Sequence, residues 1–209
     1  MTGYPIPRVL FLASLGLIAA LGLTGCGSNS YTIGGDTRNK MIVSLRDQKM
    51  LLVRDGNPVK AYKISTSKFG IGDKPGSNCT PVGHLQVAKK IGSSAPIGSV
   101  FKARRPTGEV LKPNAPGRDP IVTRILWLTG TESRNQNAFR RTIYIHGTPE
   151  ERYLGRPASY GCIRMGSRDV ADLYNRIGTG ADVFVIRGSI KSDKTTQSSA
   201  SMAKSTPRG

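Results

Sequence analysis

The chain has 209 residues, enough for one domain of ordinary size with its own hydrophobic core. Lysine and arginine outnumber the acids by 31 to 13, and the resulting formal charge of +18 suggests an acidic partner. The basic residues are scattered and only 6% of the chain is aromatic, so a nucleic-acid-binding face is not indicated. No Cys/His cluster has the spacing of a zinc site, and we expect neither a metal nor another cofactor.

The N-terminus is typical of an export signal. Arg8 precedes an apolar run over 9–23, which has the length of a signal-peptide core and is short for a membrane span. The run ends in Leu23-Thr24-Gly25-Cys26, which resembles a bacterial lipobox whose cysteine is lipidated. We predict a signal peptide over 1–25 and lipidation of Cys26; an ordinary cleaved signal or an uncleaved anchor are the alternatives.

These features predict where the protein resides. Gly27 follows the cysteine, which by resemblance to lipoprotein sorting favours the outer membrane. We therefore expect a lipid-anchored protein on the periplasmic face of the cell envelope. Such a protein does not meet the genome, so we expect no nucleic-acid partner. The positive charge would instead attract carboxylate-rich peptidoglycan and anionic lipid, or serve solubility alone.

Short strands dominate the chain that follows. Residues 26–39 are polar and contain Gly and Ser, which predicts a flexible tether. Strands are predicted, in chain order, over 41–45, 50–53, 59–65, 84–88, 121–128 and 142–145. Between them, 91–119 is long, basic and rich in Gly and Pro, which predicts an irregular insertion. It would form either a lid or wall over a substrate groove or a solvated insertion.

The last part of the domain contains the one predicted amphipathic helix. Val170, Leu173, Tyr174 and Ile177 recur at helical spacing, with Ser167 as a plausible N-cap. A final strand is predicted over 182–186 and a disordered Ser/Thr/Lys-rich tail over 189–209. The pattern predicts a mostly-β single domain over 40–188 with one or two short helices.

Two segments carry candidate chemistry. His146-Gly147 ends one predicted strand, and Ser159-Tyr160-Gly161-Cys162-Ile163-Arg164 follows it closely. An imidazole can take the proton of a thiol and leave a nucleophilic thiolate. Gly161 would let a carbonyl approach Cys162, with the backbone N–H groups of both residues forming an oxyanion hole. Gly147 would leave its backbone free to hydrogen-bond the imidazole.

Simpler interpretations exist for the same residues. A Cys between Gly and Ile is often a buried apolar residue, and a His at the end of a strand is often only a core histidine. The second histidine, His84, has no ligand-like neighbours and is predicted to be structural. Cys79 and Cys162 could pair in an oxidising compartment, and such a disulfide would block the proposed nucleophile.

The segment from Tyr144 to Met165 resembles the L,D-transpeptidase catalytic domain, also called the YkuD domain. Members carry a His and a small residue, then Ser/Thr-His-Gly-Cys, an apolar residue and Arg or Asn. The resemblance extends over 41–187 and includes Cys79-Thr80-Pro81-Val82-Gly83, where the family often has Thr-Pro-x-Gly. Tyr160 stands where the family usually has His, so we expect local hydrogen bonding and pocket polarity to differ from those of the family. Cys79 replaces a residue that is usually not Cys in the family, and we interpret it as a small buried residue.

The resemblance implies a β-sandwich or barrel and a reaction on peptidoglycan. Cys162 would form a thioester with the diamino acid of a tetrapeptide stem and release D-alanine, with His146 as the general base. The acyl group would pass to an amine of a second stem or of a lipoprotein, or to water. We also expect Arg164 to meet a substrate carboxylate or form a structural ion pair, with Ser159 and Tyr160 lining the pocket. The alternative is a non-catalytic peptidoglycan-binding lipoprotein that tethers membrane to wall.

Overall fold

The computed structural model of the protein describes residues 35–190. The predicted signal peptide, Cys26, nearly all of the tether and the tail from 191 onward lie outside the described residues. Within the described residues the ten strands are β1 (Asn39–Ser44), β2 (Lys49–Arg54), β3 (Asn57–Ser65), β4 (Gly83–Ile91), β5 (Ser99–Lys102), β6 (Arg105–Val110), β7 (Ile121–Gly130), β8 (Tyr144–Gly147), β9 (Ile163–Met165) and β10 (Asp182–Ile186). One α-helix, α1, spans Ser167–Arg176, and two 3₁₀ helices span Ser133–Asn135 and Glu151–Tyr153.

Eight of the strands close into a ring. Their order is β4-β10-β1-β2-β3-β9-β8-β7, and β7 pairs back with β4. The β1–β10 and β8–β9 pairs are parallel, and the other pairs in the ring are antiparallel. The mostly-β fold class with a sandwich or barrel architecture and one short α-helix is therefore confirmed.

The core fills the ring because successive side chains of a strand point to opposite faces, so one face of the ring strands points inward. The largest fully buried side chains are Tyr62, Met41, Met50, Leu52, Ile64, Leu85, Ile125, Leu126, Leu128, Ile145, Ile163 and Met165. Helix α1 adds Val170, Leu173 and Tyr174 to this core, as its spacing predicts. It begins after Gly166, so Ser167 is its first residue and the predicted N-cap is wrong by one position. Within residues 35–190, no helix is long and apolar enough to cross a bilayer.

The predicted irregular insertion over 91–119 is wrong in its central part. Strands β5 and β6 form a hairpin there, and β5 also pairs with β7. The turn uses Ala103 and Arg104, both with positive φ, as a two-residue hairpin turn requires. The hairpin therefore extends the sheet outside the ring, beside β7.

Candidate active site

The candidate nucleophile and base lie on one face of the adjacent strands β8 and β9. His146 is opposite Arg164 in the parallel register, and Ile145 is opposite Ile163. Successive side chains point to opposite faces, so the two isoleucines enter the core and His146 and Arg164 share the other face. Cys162, just before β9, lies on that face too, and the Tyr144 N–H donates to its Sγ at 3.4 Å.

His146 is inside β8 rather than beyond its end, and its side chain is buried. Its Nδ1 lies 2.8 Å from the carbonyl oxygen of Gly147. Because a carbonyl only accepts, this bond assigns the proton to Nδ1 and leaves Nε2 with a free lone pair. Burial lowers the pKa of His146, an effect that the Gly147 carbonyl and nearby Asp119 oppose only in part. The ring is therefore a neutral base.

Gly147 is required by the packing of β8 against β7. A Cβ there would lie 2.5 Å from the carbonyl oxygen of Val122 and 3.1 Å from a methyl group of Val170. The register of β7 against β8 also shifts between Val122 and Ile125. Any side chain at Gly147 would push apart the two strands that place His146.

The Cys162 thiol is half-buried and protonated at neutral pH. Burial raises its pKa to about 11, although the Tyr144 N–H and the charge of Arg141 act in the opposite direction. Sγ also contacts the carbonyl oxygen of Thr142 at 3.5 Å. Within residues 35–190 no hydrogen bond joins Cys162 to His146, so the pair is a neutral thiol beside a neutral imidazole.

A tight turn presents the thiol. Ser159 is buried, and its Oγ donates to the carbonyl oxygen of Cys162 at 2.6 Å and accepts from the N–H of Gly161 at 3.3 Å. Gly161 has φ +116, a region that favours glycine, and a Cβ there would lie 3.1 Å from the carbonyl oxygen of Cys79. Thr80 Oγ1 donates to the Gly161 carbonyl at 3.0 Å, a contact that the sequence did not suggest.

A buried ion pair fixes the loop that supports this turn. Arg141 bonds Asp73 at 2.9 Å, and both side chains are less than a tenth exposed. The same guanidinium donates to the carbonyl oxygens of Gly72 and Cys79. Arg141 therefore holds the segment over 72–79 against the strand leading to His146. Sequence reasoning missed this pair because the partners are far apart in the chain.

Arg164 is buried and already paired. Its Nη1 bonds Asp119 and, at 3.3 Å, Glu150, and its Nη2 lies 3.4 Å from Ser65 Oγ. Thr148 Oγ1 donates to the other oxygen of Asp119. Asp119 was also missed, since a carboxylate at the end of a predicted loop gives no signal of its own. These groups form a charged cluster beside His146.

Tyr160 separates two cavities. The nucleophile cavity, about 480 Å³, is lined by Pro75, Gly76, Asn78, Arg140, Arg141, Thr142, Ile143, Tyr160 and Cys162. The arginine cavity, about 720 Å³, is lined by Lys68, Asp119, Glu150, Tyr153, Arg156, Pro157, Ala158, Tyr160 and Arg164. The Tyr160 side chain is 64% exposed, and Lys68 Nζ donates to its hydroxyl at 3.1 Å. Tyr160 is thus the shared wall of both cavities.

The remaining candidates lie elsewhere or are half-buried. His84 stacks on Phe184 with 4.6 Å between the ring centroids, and its Nε2 is 2.7 Å from Asp182, in a separate cavity.

Cys79 and Cys162 are both free thiols, and Cys79 is half-buried. Trp127 stacks on Phe139 beside the site. Within residues 35–190, no group of three Asp, Glu, His or Cys side chains could hold a metal.

Comparison with known proteins identifies the family of this chain. The family model of the L,D-transpeptidase catalytic domain (YkuD) matches residues 38–186. Solved structures with a similar fold include an L,D-transpeptidase from Mycobacterium smegmatis, which has 15% identity and a TM-score of 0.47 over 71% of this chain and 58% of that chain. An L,D-transpeptidase from Mycobacterium tuberculosis has 18% identity and a TM-score of 0.47 over 72% of this chain and 58% of that chain.

An L,D-transpeptidase from Xylanimonas cellulosilytica has 16% identity and a TM-score of 0.47 over 73% of this chain and 62% of that chain. This chain thus spans less than two thirds of the length of each of these structures. No curated protein is significantly similar to the chain. The family model covers most of the chain and both segments of the site, and the chain belongs to the L,D-transpeptidase catalytic domain (YkuD) family.

Proposed function

We propose that the protein is a peptidoglycan L,D-transpeptidase, a cysteine acyltransferase that acts on tetrapeptide stems. The observation that carries the proposal is the placement of Cys162 and a neutral, buried His146 on one face of β8 and β9, within a domain of this family. The thiol opens into the nucleophile cavity, where a peptide carbonyl can reach it.

The reaction begins with a proton transfer. His146 Nε2 accepts the proton of Cys162 as Sγ attacks the carbonyl carbon of the diamino acid in the third position. The C–N bond to D-alanine then breaks, and the imidazolium returns the proton to the departing amine. A thioester to Cys162 remains. An acceptor amine attacks it and loses a proton through His146, and the thiolate leaves and is reprotonated.

Backbone groups supply the oxyanion contact in this proposal. The N–H groups of Cys162 and Gly161 are the candidates, although that of Gly161 also makes a long bond to Ser159 Oγ. Ser159 acts by holding the turn. Arg164 shares its guanidinium between two carboxylates, so we assign it a positioning role beside His146. The Tyr160 hydroxyl stands in for the family imidazole, and Tyr160→Phe should slow acylation.

The test is a product analysis. The wild-type protein and Cys162→Ala are incubated with disaccharide-tetrapeptide, and the products are followed by mass spectrometry. Release of D-alanine with a cross-linked dimer, absent in the variant, is the expected result. Release without a dimer would indicate hydrolysis or a missing protein acceptor, and release that persists in Cys162→Ala would overturn the assignment of the nucleophile.

The second candidate is a non-catalytic wall-binding lipoprotein. Tyr160 in place of the family His and the raised pKa of Cys162 favour it. A binder of this kind would retain the sacculus after Cys162→Ala as well as the wild type does, and it would release no D-alanine. Intact Cys162 and His146 favour the enzyme.

We further propose that Cys26 carries a lipid that anchors the enzyme at the periplasmic face of the outer membrane. The support is the apolar run that ends in Leu23-Thr24-Gly25-Cys26, followed by Gly27. A lipoprotein is then one possible acceptor. Fractionation of cells expressing the full chain and its Cys26→Ser variant tests this: only the wild type should sediment with outer membranes and incorporate labelled palmitate.

A further inference from the structure

The arginine cavity contains more positive charge than its own acids neutralise. Asp119 and Glu150 are both engaged by Arg164. Lys68 and Arg156 line the same cavity, are exposed, and have no ion-pair partner within residues 35–190. Counting these five side chains, the cavity has a net charge of +1, which suits a singly charged anion better than a polyanion.

Both unpaired cations are placed by aromatic rings. Lys68 Nζ lies 4.4 Å from the centroid of the Tyr160 ring and bonds its hydroxyl at 3.1 Å. The guanidinium of Arg156 lies 4.5 Å from the centroid of the Tyr153 ring. Such contacts restrict flexible side chains without neutralising their charge. The backbone of Lys68 is fixed as well, because its N–H donates to the carbonyl oxygen of Ser159.

The position of Tyr160 connects this charge with the nucleophile. Its ring lines both cavities. The centroid of this ring lies 5.3 Å from that of Phe69, which is 49% exposed. A peptide attached to Cys162 can therefore continue across an exposed aromatic surface into the arginine cavity. Arg164 is not free to meet an anion there, because two carboxylates of the protein already share its Nη1.

We propose that Lys68 and Arg156 bind a free carboxylate of the donor stem, within a few residues of its reacting carbonyl, and so make the enzyme selective for stems that are not amidated there. This inference rests on the proposed function for the identity of the ligand. An ammonium and a guanidinium recognise a carboxylate through charge-assisted hydrogen bonds. A carboxamide at the same place keeps the shape and loses the charge.

The binding test uses Cys162→Ala protein, which cannot turn over. It is titrated by calorimetry with a synthetic tetrapeptide stem carrying free carboxylates and with the same stem carrying carboxamides. The free stem should bind about fivefold to tenfold more tightly, as expected for exposed charge pairs, and the difference should shrink as salt is added. Lys68→Gln with Arg156→Gln should abolish the preference, and Lys68→Arg should keep most of it.

Lys49→Gln is the matched control, because Lys49 is exposed, has no ion-pair partner among the described residues, and lines a different cavity. It removes one charge and should leave the preference unchanged. Equal binding of the two stems, a preference that survives the double variant, or no binding of either stem would overturn the inference.

Turnover separates this inference from the proposed function. In protein with Cys162 intact, the double variant should raise KM for the free stem about fivefold to tenfold and remove the difference in kcat/KM between the two stems. If the wild type releases no D-alanine but Cys162→Ala still prefers the free stem, the proposed reaction fails and the carboxylate site stands. If D-alanine is released equally well from both stems, the reaction stands and the carboxylate site fails.

Discussion

At the scale of single residues, the Cys162 thiol and the His146 imidazole are both uncharged. Burial keeps the proton on Cys162 and off His146, so neither side chain is charged near neutral pH. The Gly147 carbonyl fixes the imidazole with its free lone pair on Nε2. We infer that substrate binding, which brings an electrophilic carbonyl to the thiol, triggers the proton transfer to His146.

Alkylation kinetics test this resting state. In a Cys79→Ser background, reaction of Cys162 with iodoacetamide at pH 7 should be about a hundredfold slower than that of an unfolded control. The reason is that a pKa of about 11 instead of 9.0 leaves that much less thiolate. The rate should rise with pH beyond pH 10. A plateau reached below pH 7 would instead show a preformed thiolate–imidazolium pair.

The residues that carry the candidate chemistry could be predicted from the sequence, whereas the residues that hold them in place could not. Cys162, His146 and the glycines next to them stand in two recognisable segments, and the structure brings those segments together on β8 and β9. Asp119, Thr80 and the Arg141–Asp73 pair reach the site from distant parts of the chain. Spacing along the sequence says nothing about such contacts, so they could not be predicted.

At the scale of elements, the strands with alternating buried residues were predictable and the hairpin was not. All six residues of β6 are exposed, and they include Pro106 and Gly108, so no period-2 pattern exists. The turn at Ala103 and Arg104 also lacks the Asn-Gly or Asp-Gly pair that signals a hairpin. Pairing with β5 and β7, rather than local sequence, makes this segment a strand.

Besides the pairing of β5 with β7, Arg104 connects the hairpin with residues near the site. Its guanidinium lies 4.9 Å from the Trp127 ring centroid, and its Nη1 is 3.4 Å from the Tyr144 hydroxyl. Arg104→Ala should raise hydrogen exchange across 99–110 several-fold and leave exchange in β1 and β2 unchanged, with Lys102→Ala as an exposed control. Equal exchange in wild type and Arg104→Ala would show that other contacts hold the hairpin.

The Arg141–Asp73 pair holds the loop over 72–79 in place. Arg141→Ala leaves the buried Asp73 carboxylate without its cation and should cost about 3–5 kcal/mol in the free energy of unfolding. Chemical denaturation measures this cost. The neighbouring Arg140 is exposed, and among the described residues its side chain hydrogen-bonds only Asn137, so Arg140→Ala should change stability by less than about 0.5 kcal/mol. Similar costs for both variants would contradict a structural role for the pair.

At the scale of the whole molecule, a closed strand ring carries the charged face that contains the nucleophile cavity and the arginine cavity. The candidate base lies on β8 and the candidate nucleophile just before β9. The loop over 72–79 supports the turn over 159–162, and the hairpin pairs with β7. In the proposed function, the high positive charge of the chain would favour binding to a carboxylate-rich wall, and Lys68 and Arg156 would contribute positive charge close to the reacting groups.

Trapping the acyl-enzyme tests the central proposal most directly. The protein is mixed with a tetrapeptide donor, quenched in acid within seconds, and analysed by intact-mass and peptide-mapping mass spectrometry, with Cys162→Ala and Cys79→Ser in parallel. We expect an adduct on Cys162 equal to the donor minus D-alanine, removed by hydroxylamine, present in Cys79→Ser and missing in Cys162→Ala. D-alanine release with no adduct on Cys162, or an adduct that persists in Cys162→Ala, would contradict the proposed mechanism.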